Sequence, residues 1–282
     1  MKIKSVAVIG GGTMGNGIAH VFALKGFPVS LVEISEELVI RSIKTIESNL
    51  ERQLKKGLID EKSKALALSN LISVIGIENI PKETDLIIEA IYEDKNAKIS
   101  LFKKLQSIIK SDSIFASNTS SISITELGSA SRPDKFLGMH FMNPVPLMKL
   151  VEIIKGHSTS SDTVNQIKEI TQFLDKIPVE VNDYPGFIAN RILMPMINEA
   201  VFALMERVAS AEDIDAIMKL GMNHPMGPLT LADFIGLDVC LAIMEVLYNG
   251  FNDSKYRPCP LLKKMVAAKK LGRKSGEGFF KY

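Results

Sequence analysis

The stretch of residues 6–15 constrains the possible folds of this chain more than any other. An apolar run over residues 6–9 breaks into three glycines and continues as a segment with helical apolar periodicity. Gly10, Gly12 and Gly15 hold the glycine positions of G-x-G-x-x-G, where missing side chains permit a tight turn and close approach of a pyrophosphate. The stretch therefore predicts a strand, a turn and a helix that bind a dinucleotide, although glycine-rich turns often serve geometry alone.

The residues that follow are predicted to complete a β-α-β unit. The first helix is predicted over residues 14–25, and residues 28–33 are predicted as a strand that ends in the carboxylate of Glu33. An acidic side chain roughly twenty residues beyond the glycine turn accepts hydrogen bonds from the adenosine ribose and repels a 2′-phosphate. This position favours NAD over NADP, and a solvated glutamate at a strand end is the simpler alternative.

Helix and strand patterns continue to alternate as far as residue 181. Further helices are predicted over residues 36–57, 61–71, 95–110 and 162–175. Further strands are predicted over residues 72–75, 85–90, 113–117, 136–141, 150–154 and 179–181. Such alternation predicts an α/β fold with a mostly parallel, Rossmann-type sheet that carries helices on both faces.

The predicted strands stop at residues 182–186, which we interpret as a domain boundary. This gives an NAD-binding domain over residues 1–184 and a smaller all-α domain over residues 185–282. Helices in the second domain are predicted over residues 188–208, 211–220, 229–247 and 260–271. Its apolar residues, many of them methionines, exceed what its own core needs, which favours a homodimer interface on this domain. The alternative is that the methionines fill irregular gaps.

Composition limits the compartment and the partners. A net charge of +2 over 282 residues provides no chain-wide binding surface for a nucleic acid or a membrane. Cys240 and Cys259 are too few for a disulfide framework and lack zinc-site spacing, which favours a reducing compartment. Neither a signal-peptide core nor a membrane-length apolar run occurs, so the sequence predicts a cytoplasmic protein.

Polar side chains with catalytic chemistry occur at the ends of the later predicted strands. Ser117 begins a hydroxyl-rich loop at the carboxyl end of a strand, the edge where ligands bind in open α/β sheets, although such loops also cap helices. His140 and Glu152 lie in neighbouring predicted strands. A histidine with an anchoring carboxylate suits hydroxyl–carbonyl interconversion because imidazole titrates near neutral pH and the carboxylate fixes its tautomer. A structural histidine at a strand end is the alternative interpretation.

Five ordered motifs resemble the L-3-hydroxyacyl-CoA dehydrogenase family over nearly the whole chain. They are GGGTMG at 10–15, SNTSS at 117–121, HFMNP at 140–144, PGFIANR at 185–191 and PMGPL at 225–229. The chain length and the closing segment, residues 272–280, resemble the short members, particularly the bacterial 3-hydroxybutyryl-CoA dehydrogenases. Ile34 departs from the pattern, because relatives often carry a polar residue after the acidic one. This leaves the ribose contacts to Glu33 and the backbone.

The resemblance implies a role for each candidate catalytic residue. In this family the histidine of H-F-x-N-P is the general acid/base and a glutamate twelve residues later orients it, which implies these roles for His140 and Glu152. Ser117 and Asn190 are implied to hold the 3-oxygen and the thioester end of the substrate. The implied reaction moves a hydride between C3 of an (S)-3-hydroxyacyl-CoA, such as 3-hydroxybutyryl-CoA, and C4 of NAD, with acetoacetyl-CoA as the oxidised partner. It requires no metal.

The resemblance also implies the binding residues. Basic side chains are implied to contact the phosphates of coenzyme A at Arg52 and Lys56, although a charged helix face is often merely solvated. Contacts with NAD are implied for Gly10, Gly12, Thr13, Met14, Gly15, Glu33, Ala90, Glu93, Lys98, Ser117, Asn143 and Lys274.

Two alternative functions compete with this interpretation. One is a dehydrogenase of small 3-hydroxy acids that uses no coenzyme A, an enzyme type that typically relies on a lysine as acid/base. The other is a nucleotide-binding or structural relative without catalysis. The intact set of Ser117, His140, Glu152 and Asn190 argues against both.

Overall fold

A computed structural model describes residues 2–282 of the chain. The chain divides within the predicted boundary segment into two units, which we call unit 1 (Met1–Asp183) and unit 2 (Tyr184–Tyr282). Within residues 2–282, no helix combines the length and the apolar character needed to cross a bilayer.

Unit 1 is built on one eight-stranded sheet. Its strands are β1 Val6–Ile9, β2 Val29–Glu33, β3 Leu71–Ile75, β4 Leu86–Glu89, β5 Ile114–Ser117, β6 Phe136–Phe141, β7 Leu150–Lys155 and β8 Ile177–Asn182. The strand order is β3-β2-β1-β4-β5-β6-β7-β8. The first six strands pair in parallel, β7 runs antiparallel to β6, and β8 runs parallel to β7. The mostly parallel Rossmann-type sheet predicted from the sequence is confirmed.

Helices cover both faces of this sheet. They are α1 Thr13–Leu24, α2 Glu36–Lys55, α3 Glu61–Ser69, α4 Lys95–Ile108, α5 Ile124–Ser129 and α6 Ser161–Phe173. Apolar residues of α1, α2 and α6 share one buried cluster with Val6 and Val8. On the other face, the Phe102 ring of α4 lies 5.9 Å from Phe115 and 4.7 Å from Phe136, measured between ring centroids. Burial on both faces explains why strands such as β1 and β4 are continuous apolar runs.

Side-chain caps fix where several helices begin. Ser35, Asp94 and Ser160 each accept a hydrogen bond from a backbone N–H in the first turn of α2, α4 and α6. Helix α5 was not predicted, because its six residues are too few to show a periodicity. Ser123, two residues beyond the predicted hydroxyl-rich loop at 117–121, caps it.

The carboxyl ends of the central strands meet at one edge of the sheet. Strand β1 lies between β2 and β4, so the connections leave it in opposite directions and open a crevice at that edge. The register pairs Ile9 with Glu89, Glu89 with Ser117 and Ser117 with Gly138. These four residues therefore lie in one row across the sheet, directly below the crevice.

Unit 2 is helical. Its helices are α7 Ala189–Met205, α8 Ala211–Leu220, α9 Pro228–Ile235, α10 Leu237–Phe251 and α11 Pro260–Ala267. Their apolar residues form one buried cluster. The prediction of one continuous helix over residues 229–247 is wrong: Gly236, with a φ of +103°, separates α9 from α10. A left-handed residue cannot continue a right-handed helix, and a glycine within an otherwise apolar pattern gave too weak a signal of the break.

Two buried aspartates hold the loops that carry the last motifs. Asp215 accepts hydrogen bonds from the backbone N–H groups of Leu229 and Thr230 at the start of α9. Asp233 accepts them from the N–H groups of Phe279 and Phe280 in the closing segment. The contacts with Asp215 and Asp233 thus give the PMGPL motif and the closing segment a structural role within unit 2.

Candidate active site

The three motif glycines differ in what surrounds them. Gly10 has a φ of +93°, and a Cβ there would lie 2.7 Å from the Ala90 carbonyl oxygen. A Cβ on Gly15 would lie 1.7 Å from the Gly10 carbonyl oxygen, so this glycine lets α1 approach β1. Among residues 2–282 and apart from its chain neighbours, nothing lies within 4 Å of a Cβ built on Gly12. The chain's own packing therefore explains Gly10 and Gly15, whereas the space above Gly12 is open to a ligand.

Glu33 lies next to the glycine turn at the end of β2. Its Oε1 accepts a hydrogen bond of 2.6 Å from the backbone N–H of Gly11. Glu33, Gly11 and Gly12 line a cavity of about 490 Å³. The neighbouring Ile34 is 85% exposed, so the carboxylate is the polar group that this strand end presents.

The arrangement fits a dinucleotide. The first-turn N–H groups of α1, which include those of Thr13 and Met14, have no intrahelical partners and favour a pyrophosphate. The Glu33 carboxylate, held by Gly11, is placed to accept hydrogen bonds from a ribose diol, and its charge opposes a 2′-phosphate. The open space at Gly12 lies between the two.

His140 and Glu152 form a buried pair on β6 and β7. The antiparallel register places them directly opposite each other, and the distance from His140 Nδ1 to Glu152 Oε2 is 2.7 Å. Because a carboxylate only accepts hydrogen bonds, His140 donates from Nδ1, and the lone pair of the neutral ring is on Nε2. His140 is 8% exposed and Glu152 is 2% exposed. The pair provides a histidine of fixed tautomer and orientation.

Ser117 belongs to a buried charged network at the ends of β4 and β5. It donates a hydrogen bond of 2.6 Å to Glu89 Oε2, and the Lys98 ammonium lies 2.6 Å from Glu89 Oε1. Burial raises the pKa of Glu89, and the charge of Lys98 acts against that rise. Lys98 is 1% exposed, and its ammonium also lies 3.1 Å from Glu93 Oε2. The network joins β4, β5 and α4 at the carboxyl edge.

Glu93 connects this network to the hydroxyl-rich loop. Its carboxylate accepts hydrogen bonds from the Thr119 hydroxyl and from the Ser120 backbone N–H, the latter at 3.0 Å. Burial opposes its ionisation, but Lys98 and the hydroxyl donors outweigh burial and hold the pKa of Glu93 below its usual range. Glu93 thus stays ionised at the rim, whereas Lys98 lies beneath it. Ala90 follows β4 directly and contacts the glycine turn through Gly10.

The loop between β6 and β7, residues 142–149, forms a second wall of the glycine-turn cavity. Asn143, Val145 and both of its prolines line that cavity. Val145 is buried against α1, since a Cβ on Gly17 would lie 2.8 Å from the Val145 Cβ. From the buried interior, Lys176 donates hydrogen bonds of 2.6 Å and 2.7 Å to the carbonyl oxygens of Val145 and Met148.

Arg52 and Lys56 lie together on one side of a separate cavity. This cavity has a volume of about 280 Å³, and Pro146 and Leu147 of the 142–149 loop form its apolar side. Arg52 also contacts the Asn49 side chain, which lines both this cavity and the glycine-turn cavity. The two cationic groups therefore flank an apolar recess of unit 1.

Two predicted site residues belong to unit 2. Asn190 is in the first turn of α7 and is buried. The Lys274 ammonium lies 2.7 Å from Asp238 Oδ2. Burial acts to raise the pKa of Asp238, but the contact with Lys274 outweighs burial and holds that pKa below its usual range. Within unit 2, Asn190 is thus held on a helix, and Lys274 is held by an acidic partner.

The sequence patterns missed Glu89 and Lys176. Glu89 ends an apolar strand run and looks like an ordinary strand terminus, and its partners Lys98 and Ser117 are 9 and 28 residues away. Lys176 stands between a predicted helix and a predicted strand, where a lysine is normally solvated. The position of Glu89 at the end of a predicted strand could have identified it, because Glu89 lies at the same edge of the sheet as Ser117.

Comparison with known proteins identifies the family of both parts of the chain. Residues 5–184 match the family model of the 3-hydroxyacyl-CoA dehydrogenase NAD-binding domain, and residues 186–282 match that of the C-terminal domain. The 3-hydroxybutyryl-CoA dehydrogenase of Bradyrhizobium diazoefficiens is 52% identical over 281 residues, which cover 99% of this chain and 96% of that protein. The mitochondrial hydroxyacyl-coenzyme A dehydrogenase of Homo sapiens is 42% identical, with 99% and 91% covered.

Solved structures agree with these matches. The crystal structure of (S)-3-hydroxybutyryl-CoA dehydrogenase from Ralstonia eutropha is similar with a TM-score of 0.97 at 48% identity, covering 100% of this chain and 99% of that chain. The chain therefore belongs to the 3-hydroxyacyl-CoA dehydrogenase family and is an oxidoreductase that uses NAD.

Proposed function

We propose that this protein interconverts (S)-3-hydroxybutyryl-CoA and acetoacetyl-CoA, with His140 as general acid/base and Glu152 as its orienting partner. The observation that carries the proposal is the 2.7 Å contact between His140 Nδ1 and Glu152 Oε2. The names of relatives such as the Bradyrhizobium diazoefficiens enzyme support the choice of substrate.

The chemistry assigned to the pair follows from its hydrogen bond. When bound, NAD supplies C4 of its nicotinamide as the acceptor of the hydride that leaves C3 of the substrate. Glu152 holds the Nδ1 hydrogen, so His140 Nε2 takes the hydroxyl proton during oxidation and returns it during reduction. The adjacent Glu152 carboxylate stabilises the imidazolium that forms.

Arg52 and Lys56 support a coenzyme A thioester over a free 3-hydroxy acid. A free acid offers one carboxylate, whereas coenzyme A carries several phosphate charges and an adenine ring. Two cations beside an apolar recess complement that combination. We keep both residues as proposed phosphate contacts.

Lys98 argues against the alternative mechanism in which a lysine is the acid/base. Its ammonium contacts both Glu89 and Glu93 and is almost fully buried. Releasing a proton from it would leave two carboxylates without their shared cation. We therefore propose that Lys98 supports the cofactor residues Glu93 and Ser117 from beneath. On the basis of the family resemblance, we also propose ligand contacts for Ser117, Asn143, Asn190 and Lys274.

We also propose a homodimer formed through unit 2. Large apolar side chains are exposed along α7 and α8 and in the residues that follow them, notably Ile192, Met205, Ile217, Leu220 and Met222. Contiguous exposed apolar surface is typical of association sites. Light scattering should give twice the chain mass for the wild type and a monomer for Leu220→Glu. A monomeric wild type would exclude the dimer. We also propose that the protein is located in the cytoplasm.

One assay tests the proposed function against both alternatives. We expect rapid NADH oxidation with acetoacetyl-CoA and at least a hundredfold lower kcat/KM with free acetoacetate, because acetoacetate lacks the charged contacts of coenzyme A. A hundredfold difference corresponds to about 2.8 kcal/mol, since each factor of ten is about 1.4 kcal/mol. Equal turnover of both substrates would favour the small-acid dehydrogenase. No turnover of either, with NADH still bound, would favour the non-catalytic relative. Arg52→Gln with Lys56→Gln should raise KM for acetoacetyl-CoA and leave that for acetoacetate unchanged.

A further inference from the structure

The 142–149 loop lies at the meeting point of three features of unit 1. It connects the strand of His140 to the strand of Glu152. Its residues line the glycine-turn cavity on one side and the cavity of Arg52 and Lys56 on the other, and Pro144 and Pro146 line both. The position of this loop therefore affects both cavities at once.

The loop has little regular structure of its own to hold it. Its internal backbone hydrogen bonds form a turn, in which the N–H groups of Leu147 and Met148 both donate to the Pro144 carbonyl oxygen at 3.0 Å. Val145 anchors one side by packing on α1 at Gly17. The Val145 and Met148 carbonyl groups point away from that turn, toward the interior, and both accept from Lys176.

Among the lysines that the structure describes in unit 1, Lys176 is unusual because it is buried without a carboxylate partner. It is 6% exposed, and its ammonium contacts the two loop carbonyl oxygens at 2.6 Å and 2.7 Å. Burial lowers the pKa of Lys176. A desolvated ammonium is costly, and here the two loop carbonyls offset that cost. The stability of the buried charge is thereby tied to the conformation of the loop.

We infer that Lys176 is a positioning residue that holds the 142–149 loop in the conformation required to bind both NAD and the coenzyme A substrate. The part concerning coenzyme A rests on the proposed function, whereas the part concerning NAD rests on the glycine-turn cavity alone. Lys176 contacts neither cavity directly. It acts through Val145 and Met148, whose neighbours Pro144, Pro146 and Leu147 form the walls.

The test measures ligand binding rather than turnover. Lys176→Met keeps the length of the side chain and removes the charged donors, leaving both carbonyls unsatisfied. We expect the Kd of NADH and the Kd of acetoacetyl-CoA to rise together, each by about tenfold, because hydrogen bonds from charged donors are the stronger ones. Lys168→Met is the matched control, since Lys168 is a partly exposed residue of α6 that contacts Glu180. Both Kd values should stay within about twofold of wild type in that control.

A conservative variant separates positioning from general destabilisation. Lys176→Arg keeps a cation with several donors and should restore both Kd values to within about threefold of wild type, even if its thermal midpoint is lower. If Lys176→Met does not fold, as judged by circular dichroism, Lys176→Gln replaces it, because its amide retains donors without charge. It should give increases between those of the Arg and Met variants.

The outcomes distinguish this inference from the proposed function. A wild type that binds NADH but not acetoacetyl-CoA would contradict the proposed function, and the NADH measurement would still test Lys176. A folded Met or Gln variant that binds both ligands as tightly as wild type would overturn the inference. A change in one Kd without the other would also overturn it, because the loop is inferred to serve both cavities.

Discussion

Two buried groups of polar side chains lie at the same edge of the sheet in unit 1 and differ in the chemistry that they allow. In the first, Lys98 contacts Glu89 and Glu93, and the cation is 1% exposed. In the second, His140 contacts Glu152, and the imidazole is 8% exposed. An ammonium group can only donate hydrogen bonds, whereas an imidazole that donates from Nδ1 can accept a hydrogen bond at Nε2. Lys98 therefore supports this edge of the sheet, whereas we propose that the His140–Glu152 pair carries out acid/base chemistry there.

The largest expected effect on stability comes from removing the supporting cation. Lys98→Met leaves Glu89 as an uncompensated buried charge, which should lower the free energy of unfolding by about 3–5 kcal/mol. Urea unfolding followed by circular dichroism measures this change. Lys104→Met, an exposed position on the same helix, should change it by less than about 0.5 kcal/mol. A similar loss in both variants would remove the distinction between the pair and the helix surface.

Glu152→Gln should show the opposite profile, with a kinetic effect larger than its effect on stability. The amide can still accept from Nδ1 but cannot stabilise an imidazolium, so kcat should fall about a hundredfold. The Kd of NADH should stay within about twofold, because Glu152 is on β7, away from the glycine turn. Steady-state kinetics and NADH fluorescence titration provide the two numbers. A kcat equal to that of wild type would make Glu152 a structural residue like Glu89.

The pH dependence of stability extends the comparison to a histidine without a carboxylate. His20 is fully buried, and its Nε2 lies 3.1 Å from Gln53 Oε1. Its Nδ1 has no hydrogen-bond partner in the part of the chain that the structure describes. Burial lowers the pKa of His20 below its ordinary value. The unfolded chain therefore binds this proton more tightly than the native state, so stability falls as the pH decreases below about 6.5.

Chemical unfolding at several pH values checks this effect, which is the smallest of the three. Between pH 7 and pH 5 the free energy of unfolding should fall by about 1 kcal/mol more in wild type than in His20→Gln. His157→Gln, at an exposed turn residue, is the control and should keep the wild-type slope. Parallel slopes for wild type and His20→Gln would show that His20 does not titrate in this range.

The sequence predicted the features that depend on local pattern. The glycine turn, the strand that ends at Glu33 and the placement of His140 and Glu152 in neighbouring strands follow from short motifs and from strand periodicity, whereas the register that makes His140 and Glu152 face each other does not. The partners of Glu89 and Lys176 do not, since they are 9 to 31 residues away and meet only when the sheet and loop are assembled. The break at Gly236 was missed because apolar periodicity continues on both sides of it.

The central claim is that His140 transfers the proton of the reaction, and His140→Gln tests it most directly. Glutamine can still donate a hydrogen bond toward Glu152 but cannot accept and release a proton. We predict that kcat for acetoacetyl-CoA reduction falls about 10³–10⁴-fold while the Kd of NADH stays within about twofold of wild type. A His140→Gln enzyme that retains wild-type turnover would contradict the account.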